Sequence, residues 1–347
     1  MSFPEGTEVD PVVDAVEAGV GVPVSRIDRL SSGNSQVFRV ECGDGRRVLA
    51  KAYPDPSEDG RDRLGTEYGA LRFLWDQGVQ DVPEPICCDV ERRVGVYAFI
   101  EGKPPKSVTG QDVDNASRFI GRLLPLRGSA ETVGLPLASE ACLDGPSYVG
   151  SVARRFERFR EVEPSTPFHE EAVLLVQDTL TPLFEQIKPL MSDCSVPASQ
   201  KILSPSDFGF HNAIRKPDGA LVFVDFEYFG WDDPAKMISD FILHPGHTLP
   251  ANGPSRFIRR ILSDLGDKDL KQRLRQVYPL LALKWCFILM NEFLSGSAKR
   301  RRRASGVESV KVWQTEVLSR QLTKARQMVE KTQEALEPGF VIGEVTL

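Results

Sequence analysis

Residues 202–230, with the sequence ILSPSDFGFHNAIRKPDGALVFVDFEYFG, place three oxygen-bearing side chains around a short predicted hairpin. Asp207 follows an apolar, strand-like run, Asn212 comes five residues later, and Asp225 closes a second apolar run thirteen residues further on. Between the last two lies the turn sequence PDG, whose residues favour a chain reversal. The pattern therefore predicts that the three side chains meet at one edge of a small sheet.

Oxygen donors at such an edge indicate a site for a hard cation. Mg²⁺ prefers oxygen ligands, keeps several waters, and is usually held by one or two protein groups together with substrate phosphates. Asn212 and Asp225 are the candidate metal ligands. Asp207 is the candidate base, because a carboxylate near the metal but outside its ligand shell can accept the proton of an attacking hydroxyl. The same spacing is also compatible with Asp and Asn residues that serve only as turns and caps.

Phosphoryl transfer also needs a cation on the phosphates, and the N-terminal part of the chain supplies a candidate. Lys51 lies in the strand-like run VLAKAY, and Glu67 follows sixteen residues later on a predicted helix. A Lys–Glu pair of this kind directs the ammonium group toward the α- and β-phosphates of a nucleotide. The earlier turn SSGNS can present backbone N–H groups to phosphate oxygens. Its candidate nucleotide-binding residues are Ser32, Gly33, Asn34 and Ser35.

The length of 347 residues exceeds the size at which one hydrophobic core usually stops growing, so two lobes are expected. Residues 1–102 read as a nucleotide-binding lobe with a hairpin reversed by GDG, the helical run RDRLGTEYGALRFLWDQG and the strand RVGVYAFI. Residues 103–347 read as a mostly helical lobe that carries the candidate catalytic loop and metal site, and the family resemblance given below implies that it also forms the acceptor pocket. One of its expected helices is the long run HEEAVLLVQDTLTPLFEQIKPLM. The sequence thus predicts an α+β fold with a small antiparallel sheet in the first lobe.

Composition and charge argue against several classes of protein. Hydrophobic residues at 41% and charged residues at 27% are typical of soluble globular proteins. The 43 basic and 49 acidic residues give a net charge of -6, which argues against a general binder of nucleic acid or anionic membranes. The N-terminal segment lacks the features of a signal peptide, and the run LLALKWCFILM is too short to span a bilayer. Six cysteines without ligand-like spacing indicate a reducing compartment, and we expect a cytoplasmic protein.

Taken in order, the motifs SGNSQVF, AK, FIEG, SD-x4-N, DFE and GWDDP resemble those of the aminoglycoside phosphotransferase and choline kinase family. Its members are small-molecule kinases with a protein-kinase-like fold, and the resemblance spans roughly residues 24–295. It implies the roles assigned above, a nucleotide loop at 31–36, and ATP with Mg²⁺ between two lobes. It also implies an adenine-contacting hinge formed by Ala98, Phe99, Ile100 and Glu101.

Two positions depart from the family pattern. The family usually has a His two residues before the catalytic Asp, where this chain has Pro205. The acidic residue that normally follows DP would fall on Met237, and Asp240 is a substitute at a different spacing. Both departures leave every candidate reacting group in place. They concern the support of the catalytic loop and the register of the helix that follows the metal site.

The expected acceptor is a hydroxyl group of a small molecule such as a sugar, an amino sugar or aminoglycoside-like compound, or a choline-like cation. The segment after Asp225 is acidic and aromatic, which favours a cationic or hydroxyl-rich ligand. Its candidate acceptor-binding residues are Glu227, Tyr228, Trp231 and Asp232. An alternative for Asp232 and Asp233 is that they cap a helix beginning at Pro234.

Two other functions are compatible with the same residues. A pseudokinase that binds nucleotide or a partner without turnover would be consistent with Pro205. A nucleotidyl transferase would use the same fold to move AMP instead of phosphate. The basic run KRRRR at 299–303 is typical of a solvated loop after a long helix, or of a nucleic-acid or nuclear-import patch.

Overall fold

The computed structural model describes residues 9–32, 35–294 and 314–346, so the basic run at 299–303 lies outside the described residues. The chain divides into two compact units. The first unit consists of Met1–Ser107, Pro125–Ser139 and Pro205–Gly230. The second consists of Val108–Leu124, Glu140–Ser204 and Trp231–Leu347. The hairpin of the predicted catalytic segment therefore belongs to the same unit as the N-terminal residues. The lobe boundary predicted after residue 102 stays a prediction.

The first unit contains a five-stranded antiparallel sheet with strand order β1-β2-β3-β5-β4, together with a separate two-stranded hairpin. Its strands are β1 (Val24–Ser32), β2 (Gln36–Cys42), β3 (Arg47–Ala52), β4 (Pro85–Asp89), β5 (Val94–Ala98), β7 (Ala213–Arg215) and β8 (Leu221–Phe223). Its helices are α1 (Asp10–Val20), α2 (Pro56–Asp59), α3 (Arg63–Asp76) and α5 (Arg127–Val133). The predicted hairpin around the GDG turn is confirmed as β2 and β3, whereas α1 and β4 were not predicted.

Successive side chains of β3 point to opposite faces of the sheet, and this alternation sets the direction of Lys51. Val48 and Ala50 point into an apolar core shared with α1, so Lys51, the residue directly after Ala50, points to the opposite face of the sheet. The residue paired with Lys51 on β5 is Gly95. A Cβ at that position would lie 2.5 Å from the hydroxyl oxygen of Tyr97, so only glycine fits there. The sheet thus presents one buried lysine on its second face.

The second unit is mostly helical. Its helices are α4 (Gly110–Leu123), α6 (Gly145–Phe159), α7 (Pro167–Leu175), α8 (Thr181–Ile187), α9 (Pro234–Leu243), α10 (Gly253–Leu265), α11 (Leu270–Leu289) and α12 (Ser319–Glu334). Its short strands are β6 (Ile202–Ser204), β9 (Gly230–Asp232, which begins at the last residue of the first unit), β10 (Val341–Ile342) and β11 (Val345–Thr346). Strand β6 pairs with β9, and β10 pairs with β11. Helix α11 is buried along most of its length and packs against α6, α9 and α12.

The single long helix expected from HEEAVLLVQDTLTPLFEQIKPLM is interrupted. Helix α7 ends at Leu175, a π-helical turn covers Val176–Leu180, and α8 begins at Thr181. Pro182 explains the interruption because it has no N–H to donate to the carbonyl of residue 178. The hydroxyl of Thr181 instead donates to the Val176 carbonyl at 2.8 Å. A widened turn is a common way to accommodate such a break.

Two further properties bear on the expected class of protein. Among the helices of residues 9–32, 35–294 and 314–346, none combines the length and the apolar character needed to cross a membrane. All six cysteines fall within the described residues, and each is a free thiol.

Candidate functional site

The loop that carries Asp207 is held by contacts within the first unit. Ser206 adopts a left-handed backbone conformation with φ of 68°, which is uncommon for a non-glycine residue and often marks functional loops. Its hydroxyl donates to the Ser139 carbonyl at 3.1 Å, and the Asp207 N–H donates to the Pro205 carbonyl at 2.9 Å. These contacts support the loop at the position where the family pattern has a histidine.

Asn212 is positioned directly against Asp207. Its Nδ2 atom lies 3.0 Å from the Asp207 carbonyl oxygen and 3.3 Å from Oδ2 of the Asp207 carboxylate. The ring of His211 approaches the other carboxylate oxygen, with Nε2 3.2 Å from Oδ1. Asp207 keeps 37% of its side-chain surface exposed. Its carboxylate is therefore fixed by two neighbours and still accessible from solvent.

The β7–β8 hairpin brings Asn212 and Asp225 to the same end of the small sheet, as the sequence predicted. Ala213 pairs with Phe223, and one residue further out the Val224 N–H donates to the Asn212 carbonyl at 2.9 Å. Asp225 is the next residue and adopts a φ of 68°. This left-handed conformation turns the chain out of the strand direction immediately after the hairpin.

Lys51 is the centre of a buried group of charges. Its Nζ atom lies 2.7 Å from Oε2 of Glu67, 2.6 Å from Oδ1 of Asp225 and 3.4 Å from Oε2 of Glu227. Arg63 lies on the same helix as Glu67 and forms an ion pair with Glu227. We call these five residues the Lys51 cluster. The structure thus brings together the predicted Lys–Glu pair and the predicted metal ligand Asp225.

Glu67 is held by more than Lys51. Its Oε2 atom accepts a hydrogen bond of 2.7 Å from the hydroxyl of Tyr53, which lies 2.8 Å from the hydroxyl of Tyr97. Its Oε1 atom accepts the N–H of Phe226 at 3.1 Å. Both carboxylate oxygens are thereby satisfied in a buried environment, which fixes the direction of the Lys51 ammonium group.

The electrostatics of the Lys51 cluster keep the lysine charged and raise the pKa of the neighbouring Asp225 carboxylate. Burial alone would lower the pKa of Lys51, but Glu67, Asp225 and Glu227 raise it well above its usual value. Burial raises the pKa of Asp225 to about 6, although Lys51 opposes the shift. Burial would also raise the pKa of Glu227, but Lys51 and Arg63 together lower it. Lys51 therefore keeps its charge, and Asp225 is the carboxylate that burial disfavours in the ionised state.

The donor atoms around Asp225 fit Mg²⁺. Because Nδ2 of Asn212 donates to Asp207, the amide oxygen Oδ1 is the atom available to a cation. Asp225 directs Oδ1 to Lys51, which leaves Oδ2, and 37% of its side-chain surface is exposed. One amide oxygen and one carboxylate oxygen match the small number of protein ligands that Mg²⁺ takes beside phosphates and water.

The comparisons with known proteins agree with this geometry. The model of the phosphotransferase enzyme family matches residues 26–277, which is most of the chain. The chain belongs to the phosphotransferase enzyme family. A search of the curated proteins found no match. The family resemblance inferred from the motifs is confirmed.

Solved structures of small-molecule kinases share the fold. A spectinomycin phosphotransferase in complex with ADP and spectinomycin is 11% identical, with a TM-score of 0.62 over 92% of this chain and 97% of that one. A choline kinase from Streptococcus pneumoniae is 14% identical, with a TM-score of 0.54 over 91% of this chain and 96% of that one. A putative fructosamine-3-kinase from Thermobifida fusca is 17% identical, with a TM-score of 0.53 over 94% and 100%. These likenesses confirm the α+β, protein-kinase-like fold class.

Those of the other predicted nucleotide-binding residues that the structure describes lie at or next to the ends of sheet strands. Ser32 ends β1, Gly33 and Asn34 fall outside the described residues, and the buried Ser35 donates its hydroxyl to Oε2 of Glu227 at 3.1 Å. The predicted hinge begins where β5 ends at Ala98. It continues through Phe99 and Ile100 to Glu101, whose carboxylate pairs with Arg47 at 2.6 Å on the surface. Their contacts with adenine stay a prediction.

The four predicted acceptor-binding residues are placed in two different environments. Glu227 and Asp232 are buried, with 5% and 0% of their surface exposed, and each is paired with a cation. Tyr228 and Trp231 are partly exposed. Asp233 caps α9 by accepting the N–H of Ala235 at 2.9 Å, which is the alternative that the sequence left open for this position. The acceptor-binding role of the four residues stays a prediction.

Sequence reasoning missed Arg63, Tyr53 and Tyr97. Arg63 precedes Glu67 by four residues, so the two side chains project from the same face of α3. That spacing was the available signal, because a cation and a carboxylate one turn apart on a partly buried helix face both need partners. The partner of Arg63 lies 164 residues further along the chain, and no local pattern points to it.

Proposed function

We propose that this protein is an ATP- and Mg²⁺-dependent phosphotransferase that moves the γ-phosphoryl group of ATP to a hydroxyl of a small molecule. The observation that carries the proposal is the position of Lys51. A buried lysine, paired with Glu67 on one side, reaches the partly exposed carboxylate of Asp225 on the other. Family membership supports a phosphotransferase, and the fold is shared with a phosphotransferase solved with ADP.

Lys51 and Glu67 are assigned to the nucleotide. Glu67 pairs with Lys51 and accepts the hydroxyl of Tyr53, which in turn contacts the hydroxyl of Tyr97. These contacts orient the ammonium group before any ligand arrives, so little ordering is left to be done on binding. We assign Lys51 to the α- and β-phosphates. Asn212 and Asp225 would hold Mg²⁺, which when bound offsets the negative charge on the β- and γ-phosphates.

Asp207 is assigned the role of base. In the transfer step the acceptor oxygen forms a bond to the γ-phosphorus, the bond from that phosphorus to the β–γ bridging oxygen breaks, and ADP leaves. The proton of the acceptor hydroxyl passes to the Asp207 carboxylate. The hydrogen bond from Asn212 to Oδ2 and the contact of His211 with Oδ1 hold that carboxylate in one orientation, which is the positioning that phosphoryl transfer requires.

The acceptor is proposed to be a sugar or a related polyol, with amino sugars and choline-like cations as the neighbouring classes. The solved structures of similar fold include enzymes named for spectinomycin, choline and fructosamine. Tyr228 and Trp231 are each an aromatic side chain of the kind that covers a sugar ring or a cationic head group. Glu227 and Asp232 contribute less to a cationic acceptor, because buried cations already pair with both carboxylates.

The proposal is tested by incubating a metabolite extract with ATP and Mg²⁺, once with the wild type and once with Asp207→Asn, followed by mass spectrometry. We expect a product heavier than its acceptor by one phosphoryl group, formed by the wild type. Loss of the base should slow its formation by about 10² to 10⁴. Asp218→Asn is the matched control, since Asp218 is an exposed residue of the β7–β8 turn.

Three outcomes would contradict the proposal. Products that carry AMP instead of phosphate would assign the site to nucleotidyl transfer. ATP binding without any modified product would indicate a pseudokinase. Turnover of Asp207→Asn close to the wild-type rate would remove Asp207 from the role of base.

A further inference from the structure

Helix α3 and the chain segment 225–228 are joined by crossed contacts. The carboxylate of Glu67 on α3 accepts the N–H of Phe226 at 3.1 Å, and the guanidinium of Arg63, one turn earlier, pairs with Glu227. Arg63 Nη1 also donates to the hydroxyl of Tyr228 at 2.6 Å. Helix α3 therefore contacts the three consecutive residues that directly follow the candidate metal ligand Asp225.

Glu227 also contacts two predicted nucleotide-binding residues, Ser35 and Lys51. One of its oxygens, Oε2, lies 3.1 Å from Ser35 Oγ and 3.4 Å from Lys51 Nζ, while Oε1 faces Arg63. Arg63, Ser35, Lys51 and Glu227 are all buried, with exposed fractions between 5% and 7%. Since long charged side chains are rarely buried unless they are paired, this arrangement indicates a defined role for Arg63 and Glu227.

Arg63 also changes how strongly Glu227 competes for Lys51. Three carboxylates surround the lysine, and the phosphates of a bound nucleotide compete with them for its ammonium group. A planar guanidinium binds a carboxylate more firmly than an ammonium does and keeps its charge at any working pH. With Arg63 in place, Oε1 of Glu227 is paired with the guanidinium, and only Oε2 faces Lys51, at 3.4 Å. Without Arg63, the full charge of Glu227 would be directed at Lys51.

We propose that Arg63 and Glu227 form a buried clamp that positions Ser35 and Lys51 for the phosphates of the nucleotide. Arg63 is a positioning residue in this account, because it acts through Glu227 and touches neither reacting atom. The inference rests on the proposed function for its nucleotide. It does not depend on the identity of the acceptor, because nucleotide affinity is measured without one.

The test is calorimetric titration of a non-hydrolysable ATP analogue with Mg²⁺ into wild type, Arg63→Met, Glu227→Gln and the double variant. Loss of a residue that supports a metal ligand typically costs 10- to 100-fold, and we expect Arg63→Met, which removes the support of Ser35 and Lys51, to weaken nucleotide binding by about tenfold or more. In the Glu227→Gln background the same change should have an effect of about twofold or less, because the competing charge has been removed.

Arg72→Met is the matched control, since Arg72 lies on the same helix and its ion pair with Asp76 is exposed. Its affinity should equal that of the wild type. If Arg63→Met fails to fold, Tyr228→Phe and Arg63→Lys test the clamp with smaller changes. Tyr228→Phe removes one hydrogen bond of Arg63, and Arg63→Lys keeps the charge but loses the planar fork.

Two results would overturn the clamp. One is an affinity of folded Arg63→Met within twofold of the wild type. The other is an undiminished effect of Arg63→Met in the Glu227→Gln background, which would show that the two residues act independently. Failure of the proposed function would give a result distinct from failure of the clamp. In that case the wild type forms no phosphorylated product, while the nucleotide titrations of the variants still report on the clamp.

Discussion

The two units each contain a buried group of charged side chains, and the two groups differ in what they leave accessible. In the Lys51 cluster, Asp225 keeps 37% of its side-chain surface exposed and sits at a left-handed backbone position. The corresponding group in the second unit consists of Asp232, Lys236, Asp240 and Lys284, and we call it the Lys236 cluster. None of its side chains exceeds 10% exposure.

The Lys236 cluster is electrically balanced and closed. Lys236 lies 2.8 Å from Asp232 and 3.2 Å from Asp240, and Lys284 lies 3.3 Å from Asp240. Asp240 also accepts the indole N–H of Trp285 at 2.9 Å. Two ammonium groups face two carboxylates, and these contacts join α9 to α11. The Lys51 cluster, by contrast, contains three carboxylates and only two cations.

The difference teaches how to separate a functional charge cluster from a structural one. Buried charges that satisfy one another completely can only hold the fold together, because no atom is left for a ligand. A cluster with excess charge and an exposed carboxylate is costly in the empty protein, and a ligand of opposite charge relieves that cost. By this criterion we infer that the Lys51 cluster serves function and the Lys236 cluster serves stability.

Removing Lys236 should give the largest change in stability. Burial alone would lower the pKa of Lys236, but Asp232 and Asp240 raise it well above its usual value, so the residue is a charged partner for both. Breaking a buried ion pair on one side typically costs 3–5 kcal/mol, so we expect Lys236→Met to lower the free energy of unfolding by about that amount. Urea unfolding of this variant, with the exposed Lys216→Met as control, measures the effect. A loss below about 1 kcal/mol would break the comparison.

A neutral residue at position 225 should have a smaller effect of opposite sign. The pKa of Asp225 is raised to about 6, so the folded protein binds this proton more tightly than the unfolded chain does. As pH rises through 4 to 6, ionisation therefore lowers the free energy of unfolding, and the penalty is complete above pH 6. Asp225→Asn should match the wild type near pH 4 and exceed its stability at pH 7.5.

This second experiment is done in EDTA, by urea unfolding at both pH values. Asp240→Asn serves as the contrast. Burial alone would raise the pKa of Asp240, but Lys284 and Lys236 lower it, so loss of this carboxylate should destabilise the protein at pH 7.5. Equal destabilisation by both substitutions would show that the two clusters play the same role.

The sequence predicted those residues of the candidate site whose positions follow from short-range patterns along the chain. Lys51 on a strand and Glu67 on the next helix could be proposed because strand alternation and helical spacing are readable along the chain. Asn212 and Asp225 could be proposed because the PDG turn fixes the register of a short hairpin. The spacing of Arg63 to Glu67 did not distinguish it from the exposed Arg72, which has the same spacing to Asp76, and the partner of Arg63 is distant in sequence.

The departures from the family pattern illustrate the same limit. Met237 is buried, with 1% of its surface exposed, and Asp240 one turn later pairs with two buried lysines. Because lysines are rarely buried, the sequence did not predict that Lys236 and Lys284 are buried partners of Asp240. The support of the loop at Pro205 likewise comes from Ser139, a contact across 67 positions that no spacing rule would suggest.

The most direct test of the central claim, that the Lys51 cluster is a Mg²⁺–nucleotide site, is the Mg²⁺ dependence of nucleotide affinity. Calorimetry with a non-hydrolysable ATP analogue should show wild-type binding that weakens when EDTA replaces Mg²⁺, because this ion is held jointly by protein groups and substrate phosphates. In Asp225→Asn the affinity should be low under both conditions. Equal, Mg²⁺-dependent affinities for the wild type and Asp225→Asn would contradict the account.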